Sequence, residues 1–258
     1  MSEEQTRSVL LLAVGATAVW LWRSGEALNY VRPGLVPLVG AAGLVLLALG
    51  LLPPLGLLNA SRAGHPPDGS DDQGGHQHQR HHEGRVGRVG WLLLVPVLVV
   101  LVVQPAALGS YAASSRSVVP GGGDGDFPPL SAPVRGAVPM PMAEFVTRAV
   151  RDPGQSLAGV RVRLTGFAAP AEDGDSGWRL TRFVVFCCAA DAEAFQAVVR
   201  GDAVPRARDQ WLEVEGTWQP RPAAVDDPNP QPPILDADAV RPIPPPRPPY
   251  EYSVQFSG

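Results

Sequence analysis

The chain has 258 residues, which is room for one or two modest domains. Its charges are nearly balanced, with 21 basic residues, all of them arginine, against 25 acidic residues. This balance argues against a protein that binds polyanions, because a nucleic-acid surface needs a net positive face. The long apolar runs precede residue 110, and most of the charge follows them. The composition therefore predicts a membrane half followed by a soluble half.

Three apolar segments predict three membrane helices, at about residues 8–30, 35–58 and 89–110. The second and third segments are free of charge and long enough to cross a bilayer. The first is interrupted by Arg23 and needs its continuation toward residue 30 to reach spanning length. A cleavable signal peptide is the competing interpretation of this first segment.

The arginines that flank these segments predict the orientation of the chain. Since cytoplasmic loops carry an excess of arginine, three crossings place the N-terminus inside and everything after about Ser110 outside. The protein is thus expected in the plasma membrane as a multi-pass protein with an extracytoplasmic C-terminal domain. Five arginines fall on the inner side and three on the outer side: Arg7, Arg62, Arg80, Arg85 and Arg88 against Arg23, Arg32 and Arg116.

The loop over residues 59–88 carries every histidine of the chain. Neutral imidazoles bind zinc or nickel, and an H-x-H-x-x-H-H spacing lets several of them converge on one ion. The surrounding Gly, Pro, Asp and Gln residues cannot form a core, so a polar connector without a ligand is the alternative. We expect weak capture of zinc or another transition metal, with these ligands: His76, His78, His81 and His82.

A Gly- and Pro-rich spacer over residues 111–141 shows no periodicity. A folded domain is expected over residues 142–252, before a tail over 253–258. It opens with a helical pattern in MAEFVTRAVR and continues with stretches that alternate or are apolar, as strands do. Strands are expected in VRVRLTGF, WRLTRFVVFCC, WLEVEGTW and PILDADAV. AFQAVVRG fits a helix or a strand, and we interpret it as a strand because a barrel of about five strands needs it. One short helix and about five strands predict a small, mostly-β domain, an OB-like barrel.

The predicted soluble domain offers little material for catalysis. It has no histidine, no lysine and neither a G-x-S-x-G motif nor a phosphate-binding loop. From Ser131 onward, 13 arginines stand against 16 acidic residues, so an OB-like barrel here is not expected to bind nucleic acid. We therefore expect a protein that is not an enzyme.

The two cysteines of the chain stand side by side in RLTRFVVFCCAAD. Consecutive strand residues point to opposite faces, so Cys188 is expected to enter the core and Cys187 to face outward. Three roles stay open: a strained redox-sensitive disulfide, thiolate ligands for a soft metal with Asp191 nearby, or a packed core cysteine with a neighbour of no consequence. Cys187, Cys188 and Asp191 are the candidate redox or ligand group.

Three predicted membrane helices followed by GVRVRLTGF, RFVVFCCAAD, DQWLEVEGTW and PPYEY resemble the two-component membrane permease subunit family of Gram-positive bacteria. The resemblance covers almost the whole chain, and its most specific part runs from Cys187 to Asp191. It implies a non-catalytic subunit in the bilayer that works with a separate multi-spanning permease. We expect the barrel domain to gate this permease or to supply it with ligand. A free-standing, membrane-anchored envelope protein that binds a ligand or metal is the alternative, and an oligonucleotide-binding OB domain is a weaker one.

Overall fold

A computed structural model describes the chain over residues 3–52, 107–118, 127–130, 136–171, 177–202, 204, 206–220 and 231–252, with isolated positions between 92 and 99. The chain divides into two compact units. The first comprises Met1–Ala27 and Gly34–Pro105, and the second comprises Leu28–Pro33 and Ala106–Gly258. The second unit therefore includes a short segment that lies, in sequence, between the first two helices.

Two helices open the first unit: α1, Glu3–Ser24, and α2, Val36–Leu51. The first helix was expected to reach residue 30, but α1 ends at Ser24. Gly25 adopts a positive φ of 78°, a conformation that ends a helix, and a 3-10 turn follows over Glu26–Asn29. The end expected for the second helix, near residue 58, lies outside the described residues.

Glycines let α1 and α2 pack closely. A Cβ built at Gly43 would lie 3.0 Å from the Gly15 carbonyl oxygen, and one built at Gly40 would lie 2.6 Å from Cδ2 of Trp22. Small residues at such contacts are typical of helices packed in a membrane. Among the described residues, one helical stretch, Pro33–Leu51, is long and apolar enough to cross a bilayer. An N-terminal anchor and a signal sequence both have this character.

The second unit contains five long strands: β2, Arg161–Ala169; β3, Trp178–Val184; β4, Glu193–Arg200; β5, Trp211–Gln219; and β6, Ile234–Pro242. They close into a barrel in the order β2, β3, β4, β6, β5 and back to β2. Four of the five pairings are antiparallel, and the β4–β6 pairing is parallel. This Greek-key order is that of an OB-like barrel. The predicted fold class is confirmed: an N-terminal helical region precedes a small barrel with one short helix.

Alternation along the strands separates the barrel core from its surface. Val162 and Leu164 of β2 are fully buried, as is Val214 of β5. Arg163 lies between them in sequence and points outward, where its Nε lies 2.8 Å from Oε1 of Glu215 on β5. Because side chains alternate along a strand, the same pattern supplies both the apolar core and a row of surface ion pairs.

The short helix α4, Met142–Arg151, packs against the barrel core and buries Phe145 completely. Its first two amides, those of Met142 and Ala143, donate hydrogen bonds of 2.9 and 3.1 Å to the two carboxylate oxygens of Glu251. A carboxylate at this position satisfies amides that lack partners within the helix. Burial nevertheless raises the pKa of Glu251, against the opposing effect of these two amides.

The spacer expected over residues 111–141 touches the barrel where it is described. α3, Ser110–Ala113, precedes Ser117, which forms a bridge with Ala194 of β4. Near the other end of the spacer, β1, Val138–Pro139, pairs in parallel with β2. Backbone pairing thus attaches both ends of a segment whose composition predicts no regular structure. The predicted His-rich loop lies outside the described residues, and most of the third predicted helix does as well.

Candidate functional site at the cysteine loop

The two cysteines lie in the turn between β3 and β4, residues 185–192, which we call the cysteine loop. The strand expected to run through Cys188 ends at Val184. Cys187 is exposed and Cys188 is partly exposed, so the expectation that Cys188 enters the core is wrong. Phe186, two residues before Cys188 in the same apolar run, is half exposed at 50%. The chain thus leaves the sheet after Val184, although the apolar run continues through Phe186.

The Asp191 side chain organises this turn. Its Oδ1 accepts a hydrogen bond of 3.0 Å from the Phe186 amide, and its Oδ2 accepts bonds of 2.8 and 3.3 Å from the amides of Cys187 and Cys188. The Asp191 amide donates to the Cys188 side chain in return, across a 3-10 turn over Ala189–Asp191. The Cys187 thiol and the three backbone amides lower the pKa of Asp191, because each of them stabilises the carboxylate.

The Cys187 thiol carries its proton at neutral pH. It donates a hydrogen bond to the Asp191 carboxylate, and this bond, together with the neighbouring Cys188, raises the pKa of Cys187 to about 11. A hydrogen bond that the neutral thiol donates favours the protonated form. Only the thiolate is a reactive nucleophile, so the protonated Cys187 thiol reacts slowly although it is exposed. A metal ion that binds here must first displace this proton.

The two sulfurs lie at the separation that a single metal ion requires. Both cysteines are free thiols, and Cys187 Sγ lies 3.7 Å from Cys188 Sγ. Two sulfurs bound to one tetrahedral zinc ion at about 2.3 Å each lie about 3.8 Å apart. A carboxylate oxygen of Asp191 completes a group of three ligand atoms that all lie within 4.8 Å of one another. The structure thus brings together all three residues of the predicted group.

A segment between the first two helices holds the cysteine loop from outside. Leu28–Pro33, which we call the connector, belongs to the same compact unit as the barrel. Val31 forms an antiparallel bridge with Cys188. The Arg32 amide donates to the Cys187 carbonyl at 3.1 Å, and the Ala189 amide donates to the Tyr30 carbonyl at 2.7 Å. Sequence reasoning missed this contact, because backbone groups make it and every residue carries them.

Two further side chains fasten this region. Arg116 Nη1 donates a hydrogen bond of 2.7 Å to the Ala189 carbonyl, within the turn itself. The Tyr250 hydroxyl donates to the Asn29 carbonyl of the connector at 3.0 Å and accepts from the Leu108 amide at 2.9 Å. The sequence did not single out Arg116 or Tyr250 as parts of a site. Both act on segments that are distant from them in sequence.

The histidines predicted to bind zinc or nickel lie outside the described residues, so that site stays a prediction: His76, His78, His81 and His82. Within the described part of the chain, Cys187, Cys188 and Asp191 form the group of Cys, His, Asp or Glu side chains with ligand atoms close enough to share one ion. Among the described residues, the cysteine loop is therefore the candidate metal site.

Comparisons with known proteins identify one domain. Neither the curated proteins nor the solved structures contain a match to the chain. Nothing in these comparisons confirms the resemblance to a permease subunit. A family match covers residues 145–253, a range that includes the five barrel strands and the cysteine loop. Residues 145–253 therefore form a DUF1980 C-terminal domain, an uncharacterised domain.

Proposed function

We propose that this chain is a non-catalytic, membrane-anchored accessory subunit of a permease, and that its barrel domain binds a thiophilic metal ion through Cys187, Cys188 and Asp191. The observation that carries the metal site is the 3.7 Å separation of the two sulfurs, with an Asp191 oxygen in reach of both. One ion can accept all three ligand atoms without a large rearrangement of the turn.

The ligand set favours soft or borderline metals. Thiolates select Zn²⁺, Cu⁺ and similar ions, whereas Ca²⁺ and Mg²⁺ require oxygen ligands. Three protein ligands leave one tetrahedral position open, in contrast to the four protein ligands of a structural zinc site. Cys187 is exposed, so the ion sits at the surface of the domain. An exposed and incomplete site suits an ion that is received and passed on.

The permease role draws on the sequence resemblance, and the membrane location draws on the apolar helical stretch Pro33–Leu51. In this proposal the chain is a multi-pass protein of the plasma membrane with the barrel outside the cytoplasm. The barrel gates a multi-spanning permease or delivers the ion to it. The His-rich loop then faces the cytoplasm as a second, weaker ligand set.

Cadmium titration of the full-length protein in detergent, under reducing conditions, tests the metal site. The ultraviolet charge-transfer band of cadmium thiolate is expected to saturate at one ion per chain and to be lost in Cys187→Ser and in Cys188→Ser. A variant with His76, His78, His81 and His82 all changed to Ala is the matched control and should keep the band. A wild-type protein that shows no band under these conditions would contradict the proposal.

Purification from native membranes in mild detergent, with quantitative mass spectrometry, tests the accessory role. A multi-spanning permease should be enriched with the wild-type chain over a control membrane protein of similar abundance. Recovery of the chain alone would instead favour a free-standing envelope protein that binds the metal by itself.

A further inference from the structure

We infer that the connector, Leu28–Pro33, is a positioning element for the metal site, and that metal binding and connector pairing stabilise each other. The inference rests on the proposed metal site and extends it. It adds a link between the cysteine loop and the segment that joins α1 to α2.

The connector contacts the backbone on both sides of Cys188. The Arg32 amide binds the carbonyl of Cys187, and the carbonyl of Tyr30 accepts the amide of Ala189. These two bonds fix the orientation of the peptide groups that precede and follow Cys188. Because the backbone sets where each Cβ points, the connector helps to keep both sulfurs directed toward Asp191.

The connector is itself held in place at Asn29. The Tyr250 hydroxyl donates to the Asn29 carbonyl, and the same hydroxyl accepts from the Leu108 amide. Arg116 also holds the turn, through the Ala189 carbonyl. The cysteine loop is thus held both by Arg116 and by a connector that is anchored independently of the cysteines.

This arrangement couples the two events thermodynamically. A ligand site that is already ordered avoids the entropic cost of ordering the loop on binding. Loss of the connector pairing should therefore weaken metal binding. By reciprocity, an ion that fixes Cys187 and Cys188 must strengthen the connector pairing by the same factor.

Cadmium titration of the full-length protein in detergent, with a pair of variants at Arg32, tests the coupling. Arg32→Pro removes the amide that donates to the Cys187 carbonyl and keeps Val31 in the extended conformation it already has. Arg32→Ala keeps the amide and removes the guanidinium. We expect Arg32→Pro to weaken cadmium binding by about three- to tenfold, the effect of losing one backbone hydrogen bond, and Arg32→Ala to leave it unchanged.

Hydrogen–deuterium exchange supplies a second measurement that needs no connector variant. In the wild-type protein, cadmium should slow exchange at the amides of Arg32 and Ala189. The same addition to the Cys187→Ser, Cys188→Ser double variant should leave exchange at both positions unchanged. A purely structural role of the connector would not make its exchange depend on cadmium.

The outcomes separate this inference from the proposed function. A normal cadmium band with equal affinities for wild type and Arg32→Pro overturns the connector inference and leaves the metal site intact. No band in the wild type overturns both. If Arg32→Pro fails to fold, as shown by circular dichroism, the exchange measurement on the wild-type protein decides, and cadmium-independent exchange overturns the inference.

Discussion

At the scale of single residues, Asp191 determines the chemistry of the cysteine loop. Its carboxylate accepts three backbone amides and the Cys187 thiol, so it shapes the turn and also holds a proton at the site. Two of these amides bind Oδ2 and one binds Oδ1. Each carboxylate oxygen has about two lone pairs, so the lone pair that accepts the Cys187 thiol becomes available to a metal ion once that thiol loses its proton.

Asp191→Asn is expected to speed alkylation of Cys187 by about tenfold near pH 8. Loss of the carboxylate lets the pKa of Cys187 fall from about 11, which raises the thiolate fraction, although the thiolate becomes less nucleophilic. Iodoacetamide labelling of the protein with both cysteines present, with the Cys187 adduct located by mass spectrometry, measures the rate. Asp202→Asn, which alters a carboxylate paired with Arg206, is the control. An unchanged rate would show that the Asp191 carboxylate does not keep the Cys187 thiol protonated.

Cadmium affinity is expected to rise with pH. The pKa of Cys187 lies at about 11, so its thiol is protonated well above neutral pH and each bound ion releases that proton. The lowered pKa of Asp191 keeps its carboxylate ionised at neutral pH, where it contributes no pH dependence. Between about pH 6 and 8, the logarithm of the affinity should increase by at least about one per pH unit. Affinity that does not change with pH would exclude Cys187 as a ligand.

At the scale of secondary structure, the closed barrel depends on a tight contact between β5 and β6. The register of this pair shifts between Glu215 and Gly216. A Cβ built at Gly216 would lie 2.2 Å from the carbonyl oxygen of Asp236, closer than any real contact. Glycine at this position lets the two backbones approach and the barrel close.

Gly216→Ala is expected to destabilise the barrel by about 1 to 3 kcal/mol, the usual cost of inserting a methyl group where the backbone must move. Chemical denaturation of the full-length protein, followed by tryptophan fluorescence, measures the change. Gly154→Ala is the matched control, because a Cβ there would approach only Oδ1 of Asp152, at 3.2 Å. Equal midpoints for the two variants would mean that the β5–β6 contact adjusts without cost.

At the scale of the whole molecule, the connector bears on membrane topology. It belongs to the barrel unit, although α1 and α2 flank it in sequence. The sequence predicts three membrane crossings, at about residues 8–30, 35–58 and 89–110, and three crossings put the connector and the barrel on the same side of the membrane.

We therefore expect a reporter that is active only outside the cytoplasm to work after Gly121 and to fail near Gly75. A membrane-impermeant maleimide should label the exposed Cys187 in intact cells at high pH, where its thiol ionises. Cys187→Ser is the control and should be labelled less than the wild-type protein. The reverse reporter pattern, with labelling only after lysis, would place the barrel in the cytoplasm.

The barrel follows from the sequence because burial leaves a local signature. Val162, Leu164 and Val214 alternate with charged residues, and that period of two is visible in the order of the amino acids alone. The adjacency of Cys187 and Cys188, with Asp191 three residues on, also defined the candidate group. Each of these features depends on residues that are close together along the chain.

Only the tertiary structure determined where the turn after β3 begins and which distant segment pairs with the cysteine loop. The apolar run through Phe186 predicted a strand and a buried Cys188, but the Asp191 carboxylate captures three amides and turns the chain after Val184. The pairing of Val31 with Cys188 joins segments far apart in sequence through amide and carbonyl groups. Side-chain periodicity reports which residues are buried, whereas backbone hydrogen bonds between distant segments depend on groups that every residue carries. Their partners are therefore set only when the whole chain folds.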